Sequence, residues 1–397
     1  MRILLLTQVV PYPPDSGPKI KTHNVLRYLA QRHDVHLLSF VRPGPEAAHA
    51  EMLRGTCASI TTVPLRRSRA RDIRYLVRSL ATGRPFLIER DDLPAMRAAI
   101  RQLLSRHAFD AVHADQLSMG QFAVDLPVRL RVLDEHNAVW TIVRRAAQRE
   151  PWTHRAAAEI EWRKLRSYEA TLCRRFDWIT VVSRDDQLAL EQIAGTRLPT
   201  LEIPIAVDTA ELTFQTRSPE ARHVLSVATM FYPPNVEGVY WFATEALPLI
   251  RSAVPDSWFL IVGSRPPKHI ERLASSGRGI QVTGYVADLE PILRRSAVLV
   301  VPVHSGSGMR VKILEAFARG IPVVSTTVGV EGIDARPEEH LLVADTPDAF
   351  ATAVTRLLRE PDTAARLARA GRALVEQRYD WRTALAPLDQ LYPPQLR

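Results

Sequence analysis

The run Ser305-Gly306-Ser307-Gly308-Met309-Arg310-Val311-Lys312-Ile313-Leu314-Glu315-Ala316 holds the residue types of an anion site. It follows an apolar stretch, Ala297–Val303, of the kind that forms a buried parallel strand. It leads into a helix pattern from Val311 to Arg319, closed by Gly320. Where a strand passes through a glycine turn into a helix, backbone N–H groups point outward without intrahelical partners. Small residues let a diphosphate approach that backbone closely. Arg310 and Lys312 offer charge to phosphate oxygens. Glu315, a turn further on, offers a carboxylate to the hydroxyls of a ribose. Together these suit a nucleotide-sugar site. Glycine turns flanked by solvated Arg and Lys are also frequent in ordinary α/β connections, so the turn alone does not decide.

The rest of the chain must place that turn. In the first half, strand patterns at Arg2–Val9, Val35–Val41, Ala111–His113, Val128–Leu133 and Trp178–Val182 alternate with helix patterns. A Pro-rich loop with Gly17 follows the first strand, and a long helical region runs from Asn137 to Arg175, interrupted near Pro151. Ser183-Arg184-Asp185-Asp186 reads as a helix N-cap with acidic residues in the first turn. Residues 199–217, stiffened by Pro199 and Pro204, read as a linker and hinge. Strand patterns resume at His223–Ala228, Trp258–Val262, Gly279–Val282, Ala297–Val303 and Ile321–Ser325. This predicts an α/β protein of two doubly wound parallel sheets, residues 1–198 and 218–378, facing an interdomain cleft. A last helix from Tyr379 is expected to cross back to the first domain. Ligands of such sheets sit beyond the carboxyl ends of the strands, where the strand order reverses.

The 397-residue length suits two domains, each with its own core. No apolar run is long enough to span a membrane, and Met1–Thr7 reads as a strand rather than a signal peptide. Cys57 and Cys173 form neither a metal-ligand spacing nor a disulfide framework, which fits a reducing cytoplasm. The net charge of +9 is unevenly spread: residues 1–200 hold 31 Lys and Arg against 21 Asp and Glu, and the remainder 21 against 22. The excess gathers in two helix-like stretches. One holds Arg66, Arg67, Arg69, Arg71, Arg74 and Arg78; the other holds Arg144, Arg145, Arg149, Arg155, Arg163, Lys164, Arg166, Arg174 and Arg175. Basic amphipathic helices suit an anionic lipid surface or a phosphorylated acceptor; a solvated face fits as well. Trp140, Trp152 and Trp162 read either as interface anchors or as packing residues. The basic stretches lack interleaved aromatics, so nucleic acid is not expected.

With these residues in hand, the chain resembles the GT-B glycosyltransferases, specifically the retaining family 4 (group 1), exopolysaccharide-type subgroup. The resemblance rests most on Gly306 to Val330, with Lys312-Ile313-Leu314-Glu315-Ala316 and Gly320-Ile321-Pro322-Val323-Val324-Ser325-Thr326. Asp177–Ser183, the first strand with its loop, Leu133-Asp134-Glu135-His136-Asn137 and Met230–Gly238 extend it over nearly the whole length. It implies glycosyl transfer from a nucleoside diphosphate sugar to a hydroxyl acceptor with retention. The acceptor is bound by the first domain and the nucleotide by the second. It assigns Glu315 to the ribose, and Gly306, Ser307 and Gly308 to the diphosphate. Gly17 would contact the donor phosphate, His136 the donor sugar near the reacting carbon, and Gly284 and Tyr285 the base. Arg310, Lys312 and His136 form the expected catalytic set.

Two departures stand out. Where the family carries a first glutamate separated from the second by seven residues, this chain has Ser307. The Arg and Lys usual after the second domain's first strand are missing from Val227–Asn235, and Arg310 and Lys312 are expected to replace them. No Asp-x-Asp occurs, so no metal and no cofactor beyond the donor is expected, and leaving-group charge falls to cations and helix N-termini. His113, Asp134 and Glu135 are weaker candidates. His113 suits a core histidine, and the two carboxylates suit pairing with Arg144 or Arg145. The acceptor is read as a lipid-linked saccharide on the inner face of a cell membrane. The alternatives are a soluble natural-product aglycone, a GT-B nucleotide-sugar epimerase and a non-catalytic partner subunit.

Overall fold

The computed structural model describes residues 1–393 apart from 149–151, 217–220, 276, 278, 287 and 307. The chain divides into two compact units, Met1–Ala206 with Ala384–Arg397, and Val207–Thr383.

The first unit is built on seven parallel strands: β1 (Arg2–Thr7), β2 (Asp34–Val41), β3 (Ser59–Pro64), β4 (Ala111–Asp115), β5 (Leu130–Glu135), β6 (Trp178–Val181) and β7 (Thr200–Glu202). Their order is β3-β2-β1-β4-β5-β6-β7, so the winding reverses between β1 and β4. Ile3, Leu4, Leu5 and Leu6 are all fully buried, as expected of a central parallel strand covered by helices on both faces.

The second unit holds six parallel strands: β8 (His223–Val227), β9 (Trp258–Val262), β10 (Ile280–Gly284), β11 (Ser296–Val301), β12 (Val323–Ser325) and β13 (Leu342–Val343). The order β10-β9-β8-β11-β12-β13 reverses between β8 and β11. Phe242, Phe259 and Phe350 pack edge to face or tilted at the centre of this core, with ring centroids 4.6 and 5.6 Å apart.

Several elements differ from the sequence expectation. Two edge strands are not among the expected ones: β3 breaks its apolar pattern with Ser59, Thr61 and Thr62, and β13 is only two residues long. β7 pairs with β6, so residues 200–202 complete the first sheet and the change of unit falls at Ala206/Val207. The long helical region is two helices, Val139–Ala147 and Trp152–Cys173, and the expected break at Pro151 lies outside the described residues. The last helix is only Trp381–Leu385, followed by a 3-10 turn, Ala386–Gln390. The C-terminal segment then seats Tyr392, fully buried, inside the first unit. Trp140 is buried, and its indole Nε1 donates to the Ala189 carbonyl at 3.3 Å. Trp162 packs against the core with the Arg144 and Arg163 guanidiniums over its ring. Both are packing residues; the Trp152 side chain lies outside the described set. Among the described residues, no helix is long and apolar enough to cross a membrane.

Candidate active site

In the second unit, the loops after β8 and β11 flank the strand-order reversal, and the Ser305–Arg310 turn is the latter of them. Gly306 and Gly308 have φ of 93° and 89°, left-handed backbone open to glycine. Space demands glycine at 306 as well: a Cβ there would lie 2.6 Å from the Tyr232 hydroxyl, which comes from the loop after β8. Arg310 caps the Val311–Ala318 helix and is buried. Its guanidinium donates to the Gly308 carbonyl and, at 3.5 Å, to that of Ser305. It thus braces the turn from within, whereas the sequence suggested a cation held out for phosphate. The Ser305 hydroxyl is buried with no hydrogen-bond partner among the described residues. Ser307, expected at the diphosphate, lies outside the described residues.

Lys312 and Glu315 are half-buried on the first turns of that helix. Burial, and then the Arg310 charge, pull the Lys312 ammonium down to about 8, against a partial counter-pull from Glu315. Burial pushes the Glu315 carboxyl above its ordinary value, opposed by Arg319 and Lys312. No described residue hydrogen-bonds the Glu315 carboxylate, so its oxygens remain open to an outside donor. Gly284 (φ 72°) ends β10 at the sheet edge, and Tyr285 beside it is three-quarters exposed, at 76%. These two stand two strands out from the reversal, whereas Gly306, Gly308, Arg310, Lys312 and Glu315 share one turn and one helix start.

In the first unit, the strands beside the reversal end in a buried charged network. Gly17 is the first residue of the Gly17–Ala30 helix, with ordinary helical backbone rather than a loop conformation. What that helix delivers is Lys21 and Thr22, both buried. Lys21 Nζ bonds Asp134 Oδ1, and Thr22 Oγ1 donates to Asp115 Oδ1 at 2.7 Å. His136 Nε2 lies 3.0 Å from Asp115 Oδ1 and 3.7 Å from Asp134 Oδ2. Thr180 Oγ1 donates to Asp134 Oδ1 at 2.6 Å. His113 bridges Asp134 Oδ2 at 3.3 Å and the Tyr392 hydroxyl at 2.9 Å. His113 is therefore a satisfied core histidine, and Asp134 is committed to Lys21 rather than to Arg144 or Arg145.

Burial opposes charge on His136, but the Asp115 carboxylate and the hydrogen bond to Asp134 together hold the imidazole above its ordinary pKa. For Asp134 burial pushes upward, and the Lys21 ammonium together with hydrogen bonds from His113 and His136 holds the carboxyl well below the usual range. His136 Nδ1 and Asp115 Oδ2 are buried with no partner among the described residues. Asp115, Asp134 and His136 bring ligand atoms within 4.8 Å of one another. The Lys21 ammonium offsets the Asp134 charge, and an imidazole held toward its protonated form offsets that of Asp115, which makes a further cation there costly.

Alternation along β5 turns Glu135 to the opposite face from Asp134 and His136. Both Glu135 oxygens are buried without a partner. Burial and then the Glu169 charge drive the Glu135 carboxyl well up. Burial likewise lifts Glu169 to about 8, although it accepts from the Val139 and Trp140 amides at 2.8 Å each. Sequence reasoning missed Lys21, Thr22, Asp115 and Tyr392. For Asp115 a signal existed, since it shares the strand face of His113; Tyr392 carried none.

Residues 221–360 match the family model "Glycosyl transferases group 1". An uncharacterized protein of the cps region of Klebsiella pneumoniae is 25% identical over 165 residues, 40% of this chain and 42% of that protein. Glycogen synthase of Mycobacterium tuberculosis is 26% identical over 242 residues, 58% of this chain and 57% of the enzyme. A GDP-mannose-dependent phosphatidylinositol monomannoside mannosyltransferase of Mycolicibacterium smegmatis is 33% identical over 161 residues, 37% and 42% of the two chains. The chain thus spans about half the length of these relatives. Among solved structures, sucrose-phosphate synthase from Thermosynechococcus elongatus superposes with TM-score 0.67 at 18% identity over 99% of this chain and 98% of the other. Anabaena HepE, solved with UDP-glucose, superposes with TM-score 0.67 at 15% identity over 99% of each chain. The chain has the GT-B fold, and residues 221–360 of its second unit are similar to the group 1 glycosyl transferases.

Proposed function

We propose that the protein is a metal-independent, retaining glycosyltransferase that moves a sugar from a nucleoside diphosphate sugar to a hydroxyl acceptor. The observation that carries this is the turn at the β8/β11 reversal. It combines two left-handed glycines, a helix start, a half-buried Lys312 and a Glu315 carboxylate to which no described residue donates. A diphosphate fits the turn and helix start, a ribose diol fits Glu315, and Gly284 and Tyr285 are assigned to the base. Nucleotide-sugar binding by HepE supports the donor class.

Arg310 keeps the turn in shape, and Lys312 meets the charge that develops on the departing phosphate. The His136 network is assigned to the sugar. Asp115 orients the His136 ring through Nε2 and leaves Nδ1 for a sugar hydroxyl. The acceptor oxygen attacks the anomeric carbon on the face from which the diphosphate departs. The C–O bond to phosphate breaks as the new one forms, and the acceptor proton passes to the leaving phosphate oxygen. The stereochemistry is kept without an enzymic nucleophile. A lipid-linked saccharide on the inner membrane face is the proposed acceptor. The mannosyltransferase relative, named for a phosphatidylinositol acceptor, supports that choice.

Incubation with UDP-, GDP-, ADP- and TDP-sugars, followed by nucleotide release, tests this. A transferase releases nucleotide slowly alone and faster with an acceptor, and anomeric NMR of the product shows retention. Interconversion to an epimer without release, or no nucleotide binding at all, overturns the proposal.

A further inference from the structure

The Arg69–Thr82 helix is locally well specified. The Ser68 hydroxyl accepts from the Arg71 amide at its start, and Gly83 (φ 71°) terminates it in left-handed backbone. Yet only Ser79 is buried along it. The helix is tethered by polar contacts: Lys164 Nζ donates to the Ser79 hydroxyl at 2.9 Å, and Arg78 pairs with the buried Glu89 at 2.8 Å. Its large apolar residues face water: Ile73 is 64% exposed, Leu76 48%, Val77 62% and Leu80 65%. At a helical step of about 100° per residue, this i, i+3, i+4, i+7 set forms a single ridge about 100° wide. These are four of the thirteen exposed large hydrophobics among the described residues, so the ridge is a concentration rather than scatter. Arg69 is exposed on the ridge and Arg74 beside it, with exposed Arg66 just before the helix, against one acidic residue in the helix, Asp72; Arg71 turns to the far face, where its guanidinium donates to the Arg66 carbonyl at 3.3 Å.

We propose that this helix is a docking surface for an anionic lipid bilayer. The apolar ridge enters the boundary between headgroups and acyl chains, and the arginines meet lipid phosphates. The charge pattern selects lipid over a second copy of the chain, since a two-fold contact through this ridge would set the same arginines against one another. It selects an anionic surface over a neutral one because exposed arginines are drawn to net negative headgroups. The inference stands apart from the donor chemistry, because every residue in it lies on one helix and its flanks in the first unit.

The test is co-sedimentation of the full chain, without nucleotide, with vesicles of phosphatidylcholine alone or mixed with phosphatidylglycerol. The wild type should pellet with the mixed vesicles and be released by salt. Leu76→Ser with Leu80→Ser should weaken binding about tenfold or more. Arg69→Gln with Arg74→Gln should weaken it roughly tenfold or more and flatten the salt dependence. Both double variants alter exposed positions, so their melting temperatures should match the wild type. Equal pelleting with neutral vesicles, or variants that pellet like the wild type, overturns the proposal. So does a dimer in light scattering that Leu76→Ser with Leu80→Ser dissolves while vesicles bind nothing. Because the assay contains no sugar nucleotide, its failure leaves the transferase proposal standing.

Discussion

Glu315→Gln separates a binding residue from a structural one by moving two quantities in opposite directions. The carboxylate is half-buried, receives no hydrogen bond from a described residue, and is pushed toward its neutral form by burial. In the unliganded protein it therefore costs free energy that Arg319 and Lys312 only partly offset. Glutamine keeps the shape and removes the charge, so the unliganded variant should melt no lower than the wild type. Bound nucleotide reverses the balance. A hydrogen bond to a charged acceptor contributes about 1.5–3 kcal/mol, which corresponds to roughly a 10- to 150-fold rise in Kd on its loss. Calorimetric titration with whichever of UDP, GDP, ADP or TDP the wild type binds, paired with melting curves without ligand, reads both. Affinity within twofold of wild type refutes the ribose assignment. A melting temperature lowered by several degrees refutes the claim that the carboxylate has no partner inside the fold.

Burial brings the Lys312 ammonium down to about 8 from an ordinary 10.5, so its charge for a diphosphate is half lost at about pH 8 and nearly complete about a unit below; nucleotide affinity should fall as pH rises past about 8 and lose this dependence in Lys312→Met. The same depressed value means the unfolded chain binds the extra proton between pH 8 and 10.5, so unliganded stability should rise across that window. Glu135 has the opposite sign: its raised pKa makes the fold prefer the protonated acid, so stability drains away as pH climbs above 4.5. Glu135→Gln should match the wild type in acid, exceed it in alkali and flatten the curve of melting temperature against pH. Tyr392→Phe removes the hydroxyl bonded to His113 at 2.9 Å and should cost about 1 kcal/mol in urea unfolding, whereas Tyr392→Ala should cost about 3–5 kcal/mol. Gly238→Ala would set a Cβ 2.0 Å from the Pro302 carbonyl oxygen; it should lose about 1–3 kcal/mol and weaken nucleotide binding, since Pro302 opens the Gly306 turn.

Legibility in the sequence followed the physics of each element. β1, β9 and β11 are unbroken apolar runs because both faces of their sheets are covered, and their patterns lie within a few residues of the observed strands. β3, at a sheet edge and partly wet, carries Ser59, Thr61 and Thr62 and escapes the pattern, and β13, only Leu342–Val343, is too short to show one. The Gly306 turn was readable because left-handed backbone restricts residue type to glycine, and Glu315 because a helix begins at a known point before it. Arg310 shows the limit: its position was clear, but only coordinates reveal that the guanidinium folds onto the turn's own carbonyls. Lys21 is harder still, since a lysine on a helix normally reads as solvated, and its partner Asp134 lies 113 residues away.

The seating of Tyr392 has a consequence for how the protein is made. The second unit is one uninterrupted length of polypeptide, while the first is completed by residues from either side of it. A ribosome working from the amino end thus releases the earlier lobe with a gap where a phenol ring belongs, and water reaches His113 through it. The lobe synthesised later can finish first. The earlier one waits for the trailing segment to arrive and lock it, so premature termination near the 3′ end of the message should damage the front of the protein.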